Sequence, residues 1–430
     1  MKTRLIPIFL VAAWAWGVAS VAAQANIKRG EPQRAGNNWE EVAECSAPMR
    51  EAGRLTVKAD SGSIHVTPGQ GGSITCKIRL RAYNSGEAEA RQYLRRYELM
   101  LRAQEGGWLL RGAFSPMSAR KSVTADFEIT VPARSNLTLE SGAGEIAVGN
   151  LQGSLQAVTA GGDVRVGDIK GPVRLETAGG SIEAGSISGQ VLARTAGGSI
   201  RVGDVTGNAN LETSGGTIEA GMVSGNLHAA TAGGDLVLRG ASGTLEAQTA
   251  GGQIRIGETG GSVVAQTAGG SIRVNGARGR VNVQTAGGGI DLLQLRNAVQ
   301  AATAAGHILV QIDGDLKSFS ASRLETAMGD IRIYLPATLP LNIDAAIDAA
   351  AGHKIISDFP LEIHSEGSEF AATRVRGAGA LNGGGEVLQV RTVGGNIEIR
   401  RLDAGTLERL RAEQESYWKR WQERARAGRN

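Results

Sequence analysis

Five histidines (His65, His228, His307, His353 and His364) and two cysteines (Cys45 and Cys76) are the residues best suited to metal or redox chemistry. None of the histidines stands at a metal-ligand spacing from another, and the cysteines form neither a zinc pair nor a thioredoxin-like pair. Carboxylates at one fixed repeat position would point to calcium, as in Asp-bearing nonapeptide repeats. Asp163 and Asp235 share such a position, but the same place elsewhere holds Ser, Thr or Gln. The many Gly-Gly pairs are not phosphate-cradling loops, because none opens a helix. These residues predict no catalytic set, no metal and no cofactor. Two outcomes stay open for the cysteines. In an oxidising compartment they could tie the N-terminal arm to the body; alternatively Cys76 is one small residue on the strand face shared by Ile74, Ile78 and Leu80.

The elements that must position any site are set by a strict period. Thr-Ala-Gly-Gly starts at Thr159 and recurs, with small variations, at 177, 195, 213, 231, 249, 267, 285 and 303. Ser-Gly-Ala-Gly at Ser141 is the same unit one step earlier, so ten units follow one another in steps of eighteen residues. Numbering each unit from its Thr, position 4 is always Gly; the central eight are Gly162, Gly180, Gly198, Gly216, Gly234, Gly252, Gly270 and Gly288, read as structural corners. Position 13 is Gly up to Gly279 and then Asn297, the usual substitution where φ must be positive, which predicts a left-handed corner. Positions 6 and 8, like 15 and 17, are apolar and alternate with polar neighbours. Each unit therefore predicts two short strands that cannot fold alone and bury their apolar side only by stacking. Loops this short hold no crossover helices, so the fold class is all-β: a single parallel β-solenoid with eighteen-residue rungs. Ten rungs at about 4.8 Å make a rod of roughly 48 Å before its ends are added. The period equals three hexapeptides, yet only one Val-Gly per unit fits a hexapeptide helix.

Stacking in parallel puts like positions above one another. Position 7 reads Arg165, Glu183, Arg201, Glu219, an outward charge column whose alternating sign suits stacked opposite charges. It is either a recognition stripe or a solvated face tuned for stacking. The Thr of each unit has inward parity, so its hydroxyl is expected to bond to backbone at a corner rather than form an exposed ladder for ice or carbohydrate.

Residues 1–25 read as a signal peptide: Lys2 and Arg4, an apolar run from Ile6 to Val21, then Ala23-Gln24-Ala25 as a cleavage site. The net charge of +4 becomes about +2 without that leader, which gives no reason to expect nucleic acid. Residues 26–52 are expected to be a flexible lead-in and 53–135 a cap of strands with one helix. In that cap Asn84 and Glu87 resemble a capping box. Ala90, Tyr93, Leu94, Tyr97 and Met100 follow at helical spacing. Residues 136–402 are assigned to the solenoid. There Asn342 to Ile347 alternates as a strand, and Val387 to Ile399 ends the rod with a last Thr-x-Gly-Gly unit. Residues 403–430 form a basic amphipathic helix, with Leu407, Leu410, Tyr417 and Trp421 on one stripe and Arg409, Lys419 and Arg424 among its cations. It could dock as a cap, pair with another helix or lie on an anionic membrane surface through 403–427.

The Gly-Gly-Gly, strand, Thr-Val-Gly-Gly-Asn-Ile-Glu-Ile ending at 383–399 resembles the bacterial putative-adhesin family of β-strand-repeat proteins. So do the strand-Gly-Ser-Ile-His-Val segment at Leu55 to Val66 and Ile129 to Pro132. The resemblance spans about residues 53–400 and implies an exported β-solenoid of the cell envelope; it brings no functional residues. Three roles remain: a non-enzymatic adhesin or scaffold that meets a protein or glycan ligand in the periplasm, outer envelope or cell surface; a periplasmic sensing or assembly partner acting through the last helix; and a β-helical polysaccharide-acting enzyme. The third expects long irregular loops and clustered charge, which these short uniform corners do not offer.

Overall fold

The computed structural model describes residues 25–83, 86–114, 123–313, 320–368, 371–410, 412 and 416. Residues 1–24 of the expected signal peptide, Asn84, Tyr417, Trp421, Lys419 and Arg424 lie outside them. The repeats form a parallel β-solenoid. Strand Val191–Thr195 lies in register on Ala209–Thr213, and Ile200–Val202 on the first half of Ile218–Val223, each residue opposite the one eighteen later. Inward residues at positions 6, 8, 15 and 17 join one core that runs from Ala43 to Ile399. A third inward line comes from position 11. Leu151, Ile169, Ile187, Val205 and Val223 are buried and bridge from rung to rung. The coil is therefore three-sided, where the sequence pattern predicts two strands per unit. The third side is one or two residues wide, too short for alternation to register.

The corners explain the glycines by crowding. A Cβ on Gly162 would stand 2.1 Å from the carbonyl oxygen of Gly144, and one on Gly270 would stand 1.9 Å from that of Gly252. The left-handed corner expected at position 13 is corrected. Only Gly153 and Gly171 there have positive φ, at 141° and 157°, towards the extended end of the range. The other glycines of that column are needed because the rung beneath is too near; a Cβ on Gly207 would meet Gly189 O at 2.6 Å. Asn297 ends the column on a rung that still registers with the one beneath, Leu295 opposite Ala277, although it shifts against the one that follows; nothing in the structure explains the exchange of Gly for Asn.

Both ends interleave rungs out of sequence order. Gly53–Ala59 is held between Ser135–Ser141 on one side and Gly107–Phe114 on the other, and Ile64–Gly69 between Ile146–Val148 and Val123–Pro132. Near the other end, Val387–Gly394 slots between Ser322–Met328 and Leu341–Ile347. The last Thr-x-Gly-Gly unit is thus the penultimate rung in space. Beyond it, the rod ends in an antiparallel run: Leu341–Ile347 pairs with Ala371–Leu381, which pairs with Glu362–Ser368.

Residues 26–52 are not a flexible lead-in. Asn38–Pro48 pairs antiparallel with Ser73–Tyr83 over its whole length and buries Ala43, Cys45 and Ala47; Asn26–Arg29 and Gln33–Ala35 pair with it in turn. Polar composition concealed a strand with only one apolar side. The cap helix is Glu87–Arg96, shorter than its periodicity suggests. Gly86 is its N-cap and no side chain caps it, so the capping box does not form. Tyr97 and Met100 belong instead to strand Tyr97–Gln104, where antiparallel pairing with Gly107–Phe114 overrides helical spacing. At the far end residues 404–410 are helical. Among the described residues no helix is long and apolar enough to cross a membrane.

Candidate binding faces

Two polar systems hold the corners, and both consume residues that could otherwise be ligands. The Thr column is buried. Thr159 Oγ1 donates to Gly144 O at 2.9 Å, and Thr177, Thr195, Thr213, Thr231, Thr249, Thr267, Thr285 and Thr303 repeat the bond one rung on. Side-chain oxygens at positions 5, 10 and 14 form the second system. Each accepts the backbone N–H of the residue eighteen later: Asp163 from Ser181 at 2.9 Å, Asp235 from Gln253 at 2.8 Å, Asp168 from Ser186 at 2.8 Å and Asn208 from Asn226 at 2.9 Å. Asp163 and Asp235 are therefore clamps between rungs. Among the described residues no group of three or more His, Cys, Asp or Glu could hold a metal ion.

The position-7 column stacks as its register demands, with Arg165 opposite Glu183, Glu183 opposite Arg201 and Arg201 opposite Glu219. Arg201 reaches Glu219 at 2.9 Å and Glu183 at 3.6 Å. Arg165 turns back to Glu145 and Asp163. Position 9 beside this column is Gly from Gly149 to Gly221, so its floor is bare backbone. A groove of ≈ 880 Å³ with charged walls runs here, between the position-7 side chains and Asp168 and Asp204.

Further along the rod position 9 fills with Asn275, Leu293, Gln311 and Tyr334, all buried although they point away from the core. Leu293, Tyr334 and Leu410 form a cluster of their own, joined by Leu309 and Leu402. The start of the C-terminal helix lies on this outward face.

The other long face is different in kind. Between positions 14 and 16 runs a groove of ≈ 1620 Å³, from Arg54 and the Gln104–Gly107 turn of the cap to Thr244 and Glu246. Position 14 contributes Asn136, Ser154, Gln190, Asn208, Asn226 and Thr244; position 16 contributes Thr138, Gln156, Arg174, Leu192, Asn210 and His228. Its Arg54 and Arg174 are matched in number by Glu105 and Glu246. Arg174 pairs with Glu176 at 2.7 Å, and His228 with Glu246 at 3.2 Å. The remaining wall side chains are mostly amides and hydroxyls, with Leu192 and Pro172 among them. Sequence reading passed over this face because its columns vary from rung to rung. The signal was a dearth of charge, which stands out only once the rungs are stacked.

Cys45 and Cys76 face each other directly across Asn38–Pro48 and Ser73–Tyr83 and are joined as a disulfide, with their Cα atoms 4.9 Å apart. The histidines do not converge. His307 bonds Asp291 at 3.0 Å, and Arg273 holds the same carboxylate at 2.6 Å. Burial works against the charged form of Asp291, but these two hydrogen bonds outweigh it and keep the carboxyl below its ordinary range. The bond to Asp291 raises the His307 imidazole above its ordinary value.

Fold and surface together define a class: a rigid, three-sided parallel β-solenoid with two long grooved faces. No protein-family profile matches the chain, and no curated protein does. Among the solved structures to which it is similar are three bacterial proteins. The first is a "putative cell adhesion protein" from Clostridium sporogenes, at 9% identity over 88% of this chain and 100% of that one, with a TM-score of 0.15. The second is a "putative adhesin" from Bacteroides fragilis, at 14% identity over 68% and 96%, with a TM-score of 0.21. A "putative adhesin" from Parabacteroides distasonis follows at 11% identity over 68% and 93%, TM-score 0.23. Overlaps this loose assign no function.

Proposed function

We propose that this chain is an exported, non-enzymatic β-solenoid of the cell envelope that works as an adhesin or scaffold, presenting its outward columns on a rigid rod. The observation that supports it most is how the chemistry-bearing residues are used. Corner carboxylates and amides clamp one rung to the next, the Thr hydroxyls bond to backbone, and Arg201 and its neighbours pair along their column. What is left for a partner is extended surface. Rungs stacked in register from Leu137 to Thr303 also hold a long face in one arrangement without a bound partner, which favours recognition of something equally extended. A role as partner of another protein through the last helix is less favoured, since Leu410 already packs on Leu293 and Tyr334.

Protease shaving of intact cells, followed by fractionation, tests the proposal. Adhesion requires a rod that is cut from outside. A rod never reached from outside leaves a periplasmic scaffold and ends the adhesin reading.

A further inference from the structure

We infer that the neutral groove between positions 14 and 16 is a binding site for a linear, uncharged polysaccharide. The inference rests on the adhesin reading and names its ligand and its face. The groove spans eight rungs from Arg54 to Thr244, a run of about 34 Å at the spacing of stacked strands. Many of the side chains that line it are amides and hydroxyls, which both donate and accept hydrogen bonds, as sugar hydroxyls do.

Three features select a neutral glycan over other extended polymers. First, the charges in the groove balance, Arg54 and Arg174 against Glu105 and Glu246, and Arg174 and His228 are engaged by Glu176 and Glu246, so an anionic chain meets no net positive field. Second, the floor is the interior of a parallel sheet. Its N–H and C=O groups are used by the rungs on either side, as where Leu155 pairs with both Leu137 and Val173. A peptide therefore has no strand edge to extend, the usual route by which extended peptides bind sheets. Third, the amides are pre-oriented. On two adjacent rungs Asn208 and Asn226 accept, through Oδ1, the backbone N–H groups of Asn226 and Thr244 at 2.9 Å each, which fixes both side chains. A pyranose chain in extended form repeats at nearly the rung spacing, so neighbouring sugars of one polymer can meet the polar side chains of successive rungs. No aromatic side chain lines the groove, so each sugar is held weakly and affinity must come from repetition.

The test uses the full exported chain, with oligosaccharides of graded length from neutral β-glucan and α-mannan series. Polygalacturonate serves as the anionic comparison and an unstructured peptide library as the peptide comparison. Binding is read by calorimetry and glycan array at low and high salt. The expected result is binding to one neutral series that tightens with each added sugar, levels off near about seven units and is indifferent to salt. Gln156→Ala and Gln190→Ala, at exposed positions, should each weaken it roughly three- to tenfold, the effect of one hydrogen bond. Glu183→Gln, on the charged column, should leave it unchanged. Circular dichroism confirms that each variant keeps its fold. Binding to no neutral series, binding confined to the anionic polymer and abolished by salt, preference for peptide, or indifference to the Gln156 and Gln190 changes would each overturn the site. Shaved-cell and adhesion assays separate the two levels. Adhesion that survives the groove changes sinks this inference alone, whereas glycan binding by a rod never exposed on cells sinks the adhesin reading alone.

Discussion

Two neighbouring glycines offer a sharp test of how the rungs are held apart. Gly215 and Gly216 occupy positions 3 and 4 of the same corner, and neither has a left-handed φ. A Cβ on Gly216 would lie 2.2 Å from Gly198 O and 2.5 Å from its carbonyl carbon, both backbone atoms that cannot swing aside. A Cβ on Gly215 would lie 3.2 Å from Gly197 O. Relieving the first contact means parting two rungs locally by about 0.8 Å, a sixth of the spacing between stacked strands. The parting strains the bond from Thr213 Oγ1 to Gly198 O, now 2.8 Å, and that from Gly216 N to Thr213 Oγ1, now 3.4 Å. Overpacking costs about 1–3 kcal/mol and each weakened hydrogen bond about 1 kcal/mol, so Gly216→Ala should destabilise by roughly 3 kcal/mol or more. Gly215→Ala needs a shift of a few tenths of an ångström and lowers the entropy of the unfolded chain, which is worth about 0.4–1 kcal/mol. Its net effect should be within about 1 kcal/mol of zero. Urea unfolding followed by circular dichroism, with amide exchange to locate the loss along a rod that need not unfold in one step, measures both. Equal destabilisation by the two substitutions would refute a stacking origin for the position-4 glycines.

The Thr column should matter more than the charge column. Thr267→Val keeps the shape but strands the buried carbonyl of Gly252, and urea titration should show a loss of about 1–3 kcal/mol. Arg165→Ala, exposed on the rod, should cost under about 1 kcal/mol. The disulfide closes a sequence separation of 31 residues, so Cys45→Ala with Cys76→Ala should lower stability by about 3–4 kcal/mol, with intact mass before and after reduction verifying the bond. The raised pKa of His307 means that its link to Asp291 contributes fully below the ordinary imidazole pKa of about 6.5 and is lost as pH rises through the higher folded value. An NMR titration of His307 should show that raised value, and Asp291→Asn should bring it down; an unmoved titration would assign the shift elsewhere.

How much of this was legible in the sequence follows from which interactions repeat. Residues that must do the same thing on each rung, such as Ile200 in the core, Thr195 at the corner and Gly198 beneath its neighbour, leave a strict period. From them the solenoid and the inward Thr follow directly. The third side was missed because position 11 bears on the core with a single residue, and Val205 beside Asp204 has no alternating partner to announce it. The cap misled more. Asn38–Pro48 looks like a polar tail because only one of its sides is apolar, and Tyr97 fits a helical stripe as well as it fits the strand that claims it. Interleaved rungs leave no trace in a linear pattern at all, since Val387–Gly394 differs little from a rung in its expected place.

The same distinction bears on where function can lie. Inward columns and corners are constrained by the rung above and the rung below, so a change at Gly234 or Thr249 is answered by loss of stacking before it can alter a partner. Position 7 is only half free, because Arg201 faces Glu219 and Glu183 and a new charge there meets its own column first. Position 16 carries no such coupling through much of its length: Gln156, Arg174, Leu192 and Asn210 follow one another with no common charge or size. A column released from self-complementarity can be shaped by something outside the chain. Its variability hid it in the sequence, and the same variability makes it the face on which a ligand can be read.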